Sequence, residues 1–198
     1  MLSHLKVLEL ATILAGPAVG MFFAELGADV VKVENPSNGG DPTRGWRLAE
    51  ETDRGGRSAY FCSVNWGKRS LALDLKQSPQ RDTFLRLVAC ADILLLNLKP
   101  GDEKGLGLDS QTLWRHNPGL IIGSLSGYGS QSPRPGFDAL IQAEAGYMAM
   151  NGPVGGPPCK LPVALMDLLA AHQLKEGLLL ALLGRSGQGQ RIEVSLWD

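Results

Sequence analysis

Val7-Leu8-Glu9-Leu10, Ala15-Gly16-Pro17 and Leu26-Gly27-Ala28-Asp29-Val30-Val31-Lys32-Val33-Glu34 decide the fold. The first is a short apolar run of strand length. Ala15-Gly16-Pro17 turns the chain, and Pro17 suits the first position of a helix, where a missing N–H costs nothing. That helix is expected over 17–26, with Gly27 as its C-terminal stop. Residues 29–34 read as a second strand. Strand, helix and strand within about 30 residues make a βαβ unit, which implies parallel strands and a right-handed crossover.

The rest of the chain continues the alternation. Residues 35–58 are polar and rich in Gly, Asp and Arg, a long loop of the kind that usually serves function. Strands are expected over 70–75, 92–96, 120–125 and 191–196, and helices over 78–90, 108–116, 137–150 and 165–183. Such alternation predicts an α/β fold with a mostly parallel sheet.

Composition excludes several classes. The 198 residues carry 19 Lys+Arg against 20 Asp+Glu, a net charge of −1. That balance argues against nucleic-acid binding through bulk charge. With 44% apolar and 20% charged residues the chain is globular. Cys62, Cys90 and Cys159 are far apart and form no CxxC, so neither a disulfide framework nor a metal site is expected. This cysteine usage fits a reducing, cytoplasmic setting. The most apolar stretch, 161–183, contains Asp167, His172, Gln173, Lys175 and Glu176, which argues against a membrane span.

Three familiar motifs fail. The first βα turn has Gly16-x-x-x-Gly20 rather than GxGxxG, so the closely spaced glycines that admit a dinucleotide pyrophosphate are missing. Gly67-Lys68-Arg69-Ser70 has Arg69 where a phosphate loop needs Ser or Thr for magnesium. No GxSxG occurs, which removes the α/β-hydrolase nucleophile elbow.

One composite pattern holds. Leu14-Ala15-Gly16-Pro17 and residues 26–34 are followed by Gly40-Asp41-Pro42-Thr43-Arg44, Asn65-Trp66-Gly67-Lys68-Arg69-Ser70 and Asn97-Leu98-Lys99-Pro100-Gly101. Ser126-Gly127-Tyr128-Gly129, residues 137–143, Asp167 and Gly187-Gln188-Gly189-Gln190 complete it. In order and approximate spacing this resembles the class III coenzyme A transferases, the group of formyl-CoA and carnitine CoA transferases. The resemblance implies a Rossmann-like, mostly parallel sheet with helices on both faces. It also implies that residues 1–198 form the N-terminal part of a large domain. The smaller domain and the C-terminal return segment then lie outside these residues, and 198 residues alone are expected to be inactive. Full-length members form interlocked homodimers.

The implied nucleophile is Asp167, at the start of the 165–183 helix. A carboxylate ionised near neutral pH can attack an acyl-CoA thioester, and covalent catalysis then divides the transfer into steps. The helix dipole is expected to keep it ionised, and nearby backbone N–H groups to stabilise oxyanions. An aspartate there also serves as an ordinary helix cap. By the same resemblance coenzyme A meets Ile13, Leu14, Asn35, Leu73, Lys76, Asn97, Leu98, Phe137 and Asp138, and Asp138 either orients groups near Asp167 or caps the helix that begins there. The family usually offers Arg where Gly105 stands here, and Lys104 is the neighbouring candidate for a phosphate. Acyl-CoA and a small carboxylic acid are the expected partners, with coenzyme A a substrate rather than a permanent cofactor.

Two alternatives remain in this reading. The related α-methylacyl-CoA racemases use a His at the position of Phe137, and phenylalanine cannot relay a proton. A non-catalytic CoA-binding fragment is the other. His4, His116 and His172 show no partner spacing, and each reads as a surface or packed histidine.

Overall fold

A computed structural model describes residues 1–52, 55–99 and 101–198. Pro100 of the Asn97–Gly101 motif and two residues of the 35–58 loop lie outside the described residues. In chain order the elements are β1 (Lys6–Leu10), α1 (Ala15–Glu25), β2 (Asp29–Glu34), α2 (Ala59–Asn65), β3 (Arg69–Ala72), α3 (Ser78–Val88), β4 (Ile93–Leu96), α4 (Asp102–Gly105), α5 (Ser110–His116), β5 (Ile121–Ser126), α6 (Asp138–Glu144), α7 (Tyr147–Met150), α8 (Leu165–Leu183) and β6 (Gln190–Ser195).

The six strands are all parallel, in the order β3-β2-β1-β4-β5-β6. Leu8 of β1 lies opposite Val31 on one side and Leu94 on the other. Because strand side chains alternate, neighbouring residues feed separate cores. Val7, Val30, Ile93, Leu95 and Ile121 pack with Val19 and Phe23 of α1 and with Ala170, Leu174 and Leu178 of α8. Leu8, Val33, Leu94, Leu96 and Ile122 pack on the opposite face with Phe84 and Val88 of α3 and Leu113 of α5. Helices therefore cover both faces, as an all-parallel sheet requires. The α/β architecture matches the sequence expectation.

Several boundaries differ for local reasons. Helix α1 begins at Ala15, two residues earlier than expected, which puts Pro17 third in the helix. It is tolerated because the first four N–H groups of a helix lack intrahelical partners. The 35–58 loop contains two 3-10 turns, at Pro36–Asn38 and Pro42–Gly45. It is followed by a helix that the hydrophobic pattern does not announce: Ser58 caps α2, its Oγ accepting from the Phe61 amide at 2.8 Å and donating to the Thr43 carbonyl at 2.6 Å. The short α4 was likewise expected as loop. The single helix expected over 137–150 is two, α6 and α7, separated by Gly146 in a left-handed conformation at φ 84°. Helix α8 has the predicted bounds. No helix among the described residues is long and apolar enough to cross a membrane.

The β5–α6 loop closes on itself. Gly127 and Gly136 approach so closely that a Cβ on Gly127 would sit 2.2 Å from the Gly136 Cα. The obstacle is backbone, which cannot swing aside. Gly127→Ala is therefore expected to cost about 1–3 kcal/mol, the usual range for overpacking, read as a lowered urea midpoint at constant m-value.

Candidate active site

Strand order reverses direction between β1 and β4, and in an open parallel sheet the crevice beyond the carboxyl ends of such strands is the natural ligand site. A cavity of about 600 Å³ lies there. It runs from Leu73 and Lys76 after β3 to Ser126 and Gly127 at the end of β5. Four strand spacings make that span about 19 Å, so it suits an elongated ligand.

Of the residues the resemblance selects, Ile13, Leu14, Asn35, Leu73, Lys76, Asn97, Leu98, Phe137, Asp138 and Asp167 all line this one cavity. Lys104 does not; it is exposed in α4, and Asp102 and Leu106 of the same segment face the cavity instead. None of the three histidines lines the cavity.

The turn after β1 is held under constraint. Ile13 has φ 74°, the left-handed region that a β-branched residue strongly disfavours. Its amide donates to both carboxylate oxygens of Asp41, at 3.2 and 3.4 Å. Asn97 fixes the preceding residue from β4's end: its Oδ1 accepts from the Thr12 amide at 3.0 Å and its Nδ2 donates to the Thr12 carbonyl at 2.8 Å. Asn97 is thus in the cavity wall, with its amide spent on the turn.

Asp41 belongs to a buried charge chain. Lys32 Nζ lies 2.9 Å from Asp41 Oδ2 and 2.9 Å from Glu9 Oε1, and donates to the Ala11 carbonyl at 2.6 Å. Lys68 Nζ donates to Glu9 Oε2 at 2.7 Å, to the Pro17 carbonyl at 2.8 Å and to Asn65 at 2.9 Å. Two ammonium groups thus face two carboxylates. Burial works against the charged form of Lys32, but Glu9 and Asp41 together outweigh it and raise its pKa. For Lys68 burial wins over Glu9 and brings the group down to about 8. Gly20 makes room for the cluster, since a Cβ there would lie 1.8 Å from Glu9 Oε2. Next to it, Glu34 is pushed up by burial but held at about 2 by hydrogen bonds from Arg44, Ser70 and the Asp41 amide.

The nucleophile candidate sits on the opposite wall. Asp167 is in the first turn of α8 and half-buried. Asp138 Oδ1 accepts from the Met166 amide at 2.8 Å, so α6 caps α8 from outside. Gln142, fully buried, donates from Nε2 to Asp138 at 2.6 Å and to the Val163 carbonyl at 3.1 Å, while its Oε1 accepts from the Leu161 amide at 2.9 Å. The segment entering α8 is thereby tied to α6. The Met166 amide, one of the donors expected to serve an oxyanion, is already taken.

Burial and a like charge act on Asp167 alongside the helix dipole. Burial, reinforced by the negative charge of Asp138, pushes its pKa up to about 6, against the helix dipole. The group remains mostly ionised at neutral pH and protonates in mild acid. Tyr60 of α2 feels the same field: burial and then Asp167, Asp138 and Asp41 raise its phenol. Sequence reasoning missed Tyr60, Asp41 and Gln142. The cap at Ser58 was the available signal for Tyr60; Asp41 and Gln142 act through contacts distant in sequence.

Among the described residues no group of three or more His, Cys, Asp or Glu side chains is placed to hold a metal ion. Fold and cavity define a doubly wound α/β protein whose switch-point crevice is lined by a half-buried carboxylate. The family model of CoA-transferase family III matches residues 2–198, and the chain belongs to that family. It is 40% identical over 205 residues to a succinate–glutarate CoA-transferase of Agrobacterium fabrum, covering 100% of this chain and 51% of that protein. It is 39% identical to a succinyl-CoA:mesaconate CoA-transferase of Haloarcula hispanica, covering 100% and 52%. A crystal structure of a CAIB/BAIF family protein from Brucella suis superimposes with a TM-score of 0.91 at 41% identity, covering 98% of this chain and 52% of that one. The chain spans about half the length of the curated relatives it matches.

Asp41→Asn would leave the buried cluster with one uncompensated positive charge. A loss of about 3–5 kcal/mol is expected, as for breaking a buried ion pair from one side, measured by urea unfolding.

Proposed function

We propose that this chain supplies the thioester cleft and the nucleophile of an enzyme that moves coenzyme A from an acyl-CoA donor to a carboxylic acid. The observation that carries the reading is Asp167: a half-buried carboxylate, ionised at neutral pH, lining the switch-point cavity. The cavity's long wall is apolar, with Leu10, Val33, Leu73, Leu98 and Leu125, which suits a pantetheine arm. Lys76 and Lys99, both exposed on its rim, suit the phosphates. The names of the relatives, which act on succinyl-CoA, succinate, glutarate or mesaconate, support the same chemistry.

In this mechanism an Asp167 oxygen attacks the thioester carbonyl. The C–S bond breaks, coenzyme A leaves as thiolate, and an aspartyl–acyl anhydride forms. The thiolate attacks the Asp167 carboxyl carbon, releasing the donor acid and leaving an enzyme–CoA thioester. The acceptor carboxylate displaces the thiolate to form a second anhydride. Attack of the thiolate on the acceptor's acyl carbon regenerates the Asp167 carboxylate. No step consumes a proton, so no general base is needed, and no histidine is provided. Asp138 and Gln142 hold the carboxylate's helix in register, in keeping with the geometric demands of covalent catalysis.

Asp167→Asn removes the nucleophilic charge at nearly constant shape and is expected to abolish transfer in the full-length protein while leaving its unfolding curve nearly intact. Hydroxylamine trapping with mass spectrometry should mark Asp167 after incubation with acyl-CoA; transfer at the parent's rate by the Asn variant, with no deamidation, overturns the assignment.

The pH profile is a separate check. Because the reactive form is the anion, the rate of adduct formation should rise with pH and level off above an inflection near 6. Asp138→Asn removes the like charge that helps raise this value, so the inflection should move to lower pH. Burial remains, so it should stay above the ordinary carboxylate value.

A further inference from the structure

Three cations line the cavity: Lys76 after β3, Lys99 after β4, and Arg134 in the β5–α6 loop. Arg134 lies in the loop that leads into α6 at Asp138, and Asp138 lines the cavity with Asp167 and acts on its charge. We propose that Arg134 binds the distal carboxylate of a short dicarboxylic substrate whose other carboxyl group reacts at Asp167. This rests on the transferase reading and adds to it the residue that selects the acid.

Arg134 is a built feature of that wall. The loop that carries it is closed by the Gly127–Gly136 backbone contact. Its guanidinium lies over the Tyr128 ring, 4.0 Å from the centroid, and the Tyr128 hydroxyl accepts from Nη2 at 3.2 Å. Glu144 at the end of α6 accepts from the same Nη2. Of the five N–H donors of an arginine, those on Nε and Nη1 have no acceptor among the described residues. The group is therefore aimed by stacking and by one nitrogen, with its other two nitrogens available.

The charge arrangement favours a carboxylate there. Asp138 and Asp167 make this part of the cavity negative, which opposes a dianionic acid. A cation on the same loop offsets that repulsion at the far carboxylate. The pair with Glu144 is exposed on both sides, 54% and 38%, and such pairs contribute little by themselves. A substrate carboxylate thus adds to Arg134 without first breaking a strong bond. Gly129 and Gly136, also on the wall, carry no side chain between Arg134 and the cavity.

The test uses full-length protein with acetyl-CoA as donor, which has no distal carboxylate, and compares two five-carbon acceptors, glutarate and pentanoate. In Arg134→Gln the ratio of their kcat/KM values should fall about 10- to 100-fold, the effect of losing a hydrogen bond to a charged group, with the glutarate value carrying the change. A circular dichroism melt checks that the variant folds. A ratio within about twofold of the parent's, or a rise in the KM for acetyl-CoA with the ratio unaltered, overturns the proposal while Asp167 adducts still form. Absence of any adduct on Asp167 in the parent overturns the transferase reading, and this proposal with it.

Discussion

The ammonium of Lys32, closed between Glu9 and Asp41 beneath the sheet's carboxyl edge, is the constraint on which the site depends. All three side chains are at most 1% exposed. Taking such charges out of water costs several kcal/mol per ion, and an apolar replacement often serves stability as well or better. Here each atom of the cluster has a geometric task. Glu9 and Lys32 sit side by side on β1 and β2, paired in register. Lys68 brings in the segment before β3 and the Pro17 carbonyl of α1. Asp41 then reaches from the long loop to the Ile13 amide. An apolar cluster would fill the volume but provide no acceptor for that amide, and Ile13 would have no reason to remain at positive φ. Backbone strain of this kind costs about 1–3 kcal/mol and persists only where its surroundings over-determine it.

The two walls of the cavity are fixed by the same device in different form. On the β1 side a buried carboxylate, Asp41, holds a backbone N–H and is itself held by a lysine. On the α8 side a buried carboxylate, Asp138, holds the Met166 N–H and is itself held by Gln142. The difference is chemical. Lys32 pairs with Asp41 and opposes its charge at the turn. Glutamine leaves the charge of Asp138 in place, where it acts on Asp167. Positioning and tuning of the carboxylate thus come from one side chain, and a replacement that keeps only the hydrogen bond separates the two effects.

Much of this was legible in the sequence because the informative patterns are local. β2 and α8 have their expected bounds, since a bounded apolar run and a long apolar segment ending at Gly184 announce themselves without tertiary help. The crevice followed from parallel strands, and ten selected residues share it because the resemblance carried positions that periodicity does not. Helix α2 was hidden: its seven residues give too little period to see, and its cap at Ser58 is completed by Thr43 across the loop. The break at Gly146 was read through, since one glycine is compatible with a helix. Asp41 looked like a loop residue because its contacts with Lys32 of β2 and Ile13 of the β1–α1 turn are made only in the folded chain. The raised pKa of Asp167 was hidden for the same reason: the dipole is visible in sequence, whereas burial and Asp138 are not.

That raised pKa bears on how the proposed nucleophile works. An aspartate at its ordinary pKa is a weakly basic, well-solvated anion. Basicity and nucleophilic power rise together within a class of nucleophile, and partial loss of water from the anion strengthens its electrostatic interactions. Raising the group to about 6 moves it in the productive direction while keeping it ionised at neutral pH. Further burial would protonate it and silence it; full exposure would leave it a surface carboxylate. The leaving-group side gives the same bound. In the proposed mechanism Asp167 is expelled from the final anhydride, and a much more basic carboxylate would leave more slowly. A half-buried position beside one like charge meets both demands, and the contacts from α6 keep the group there.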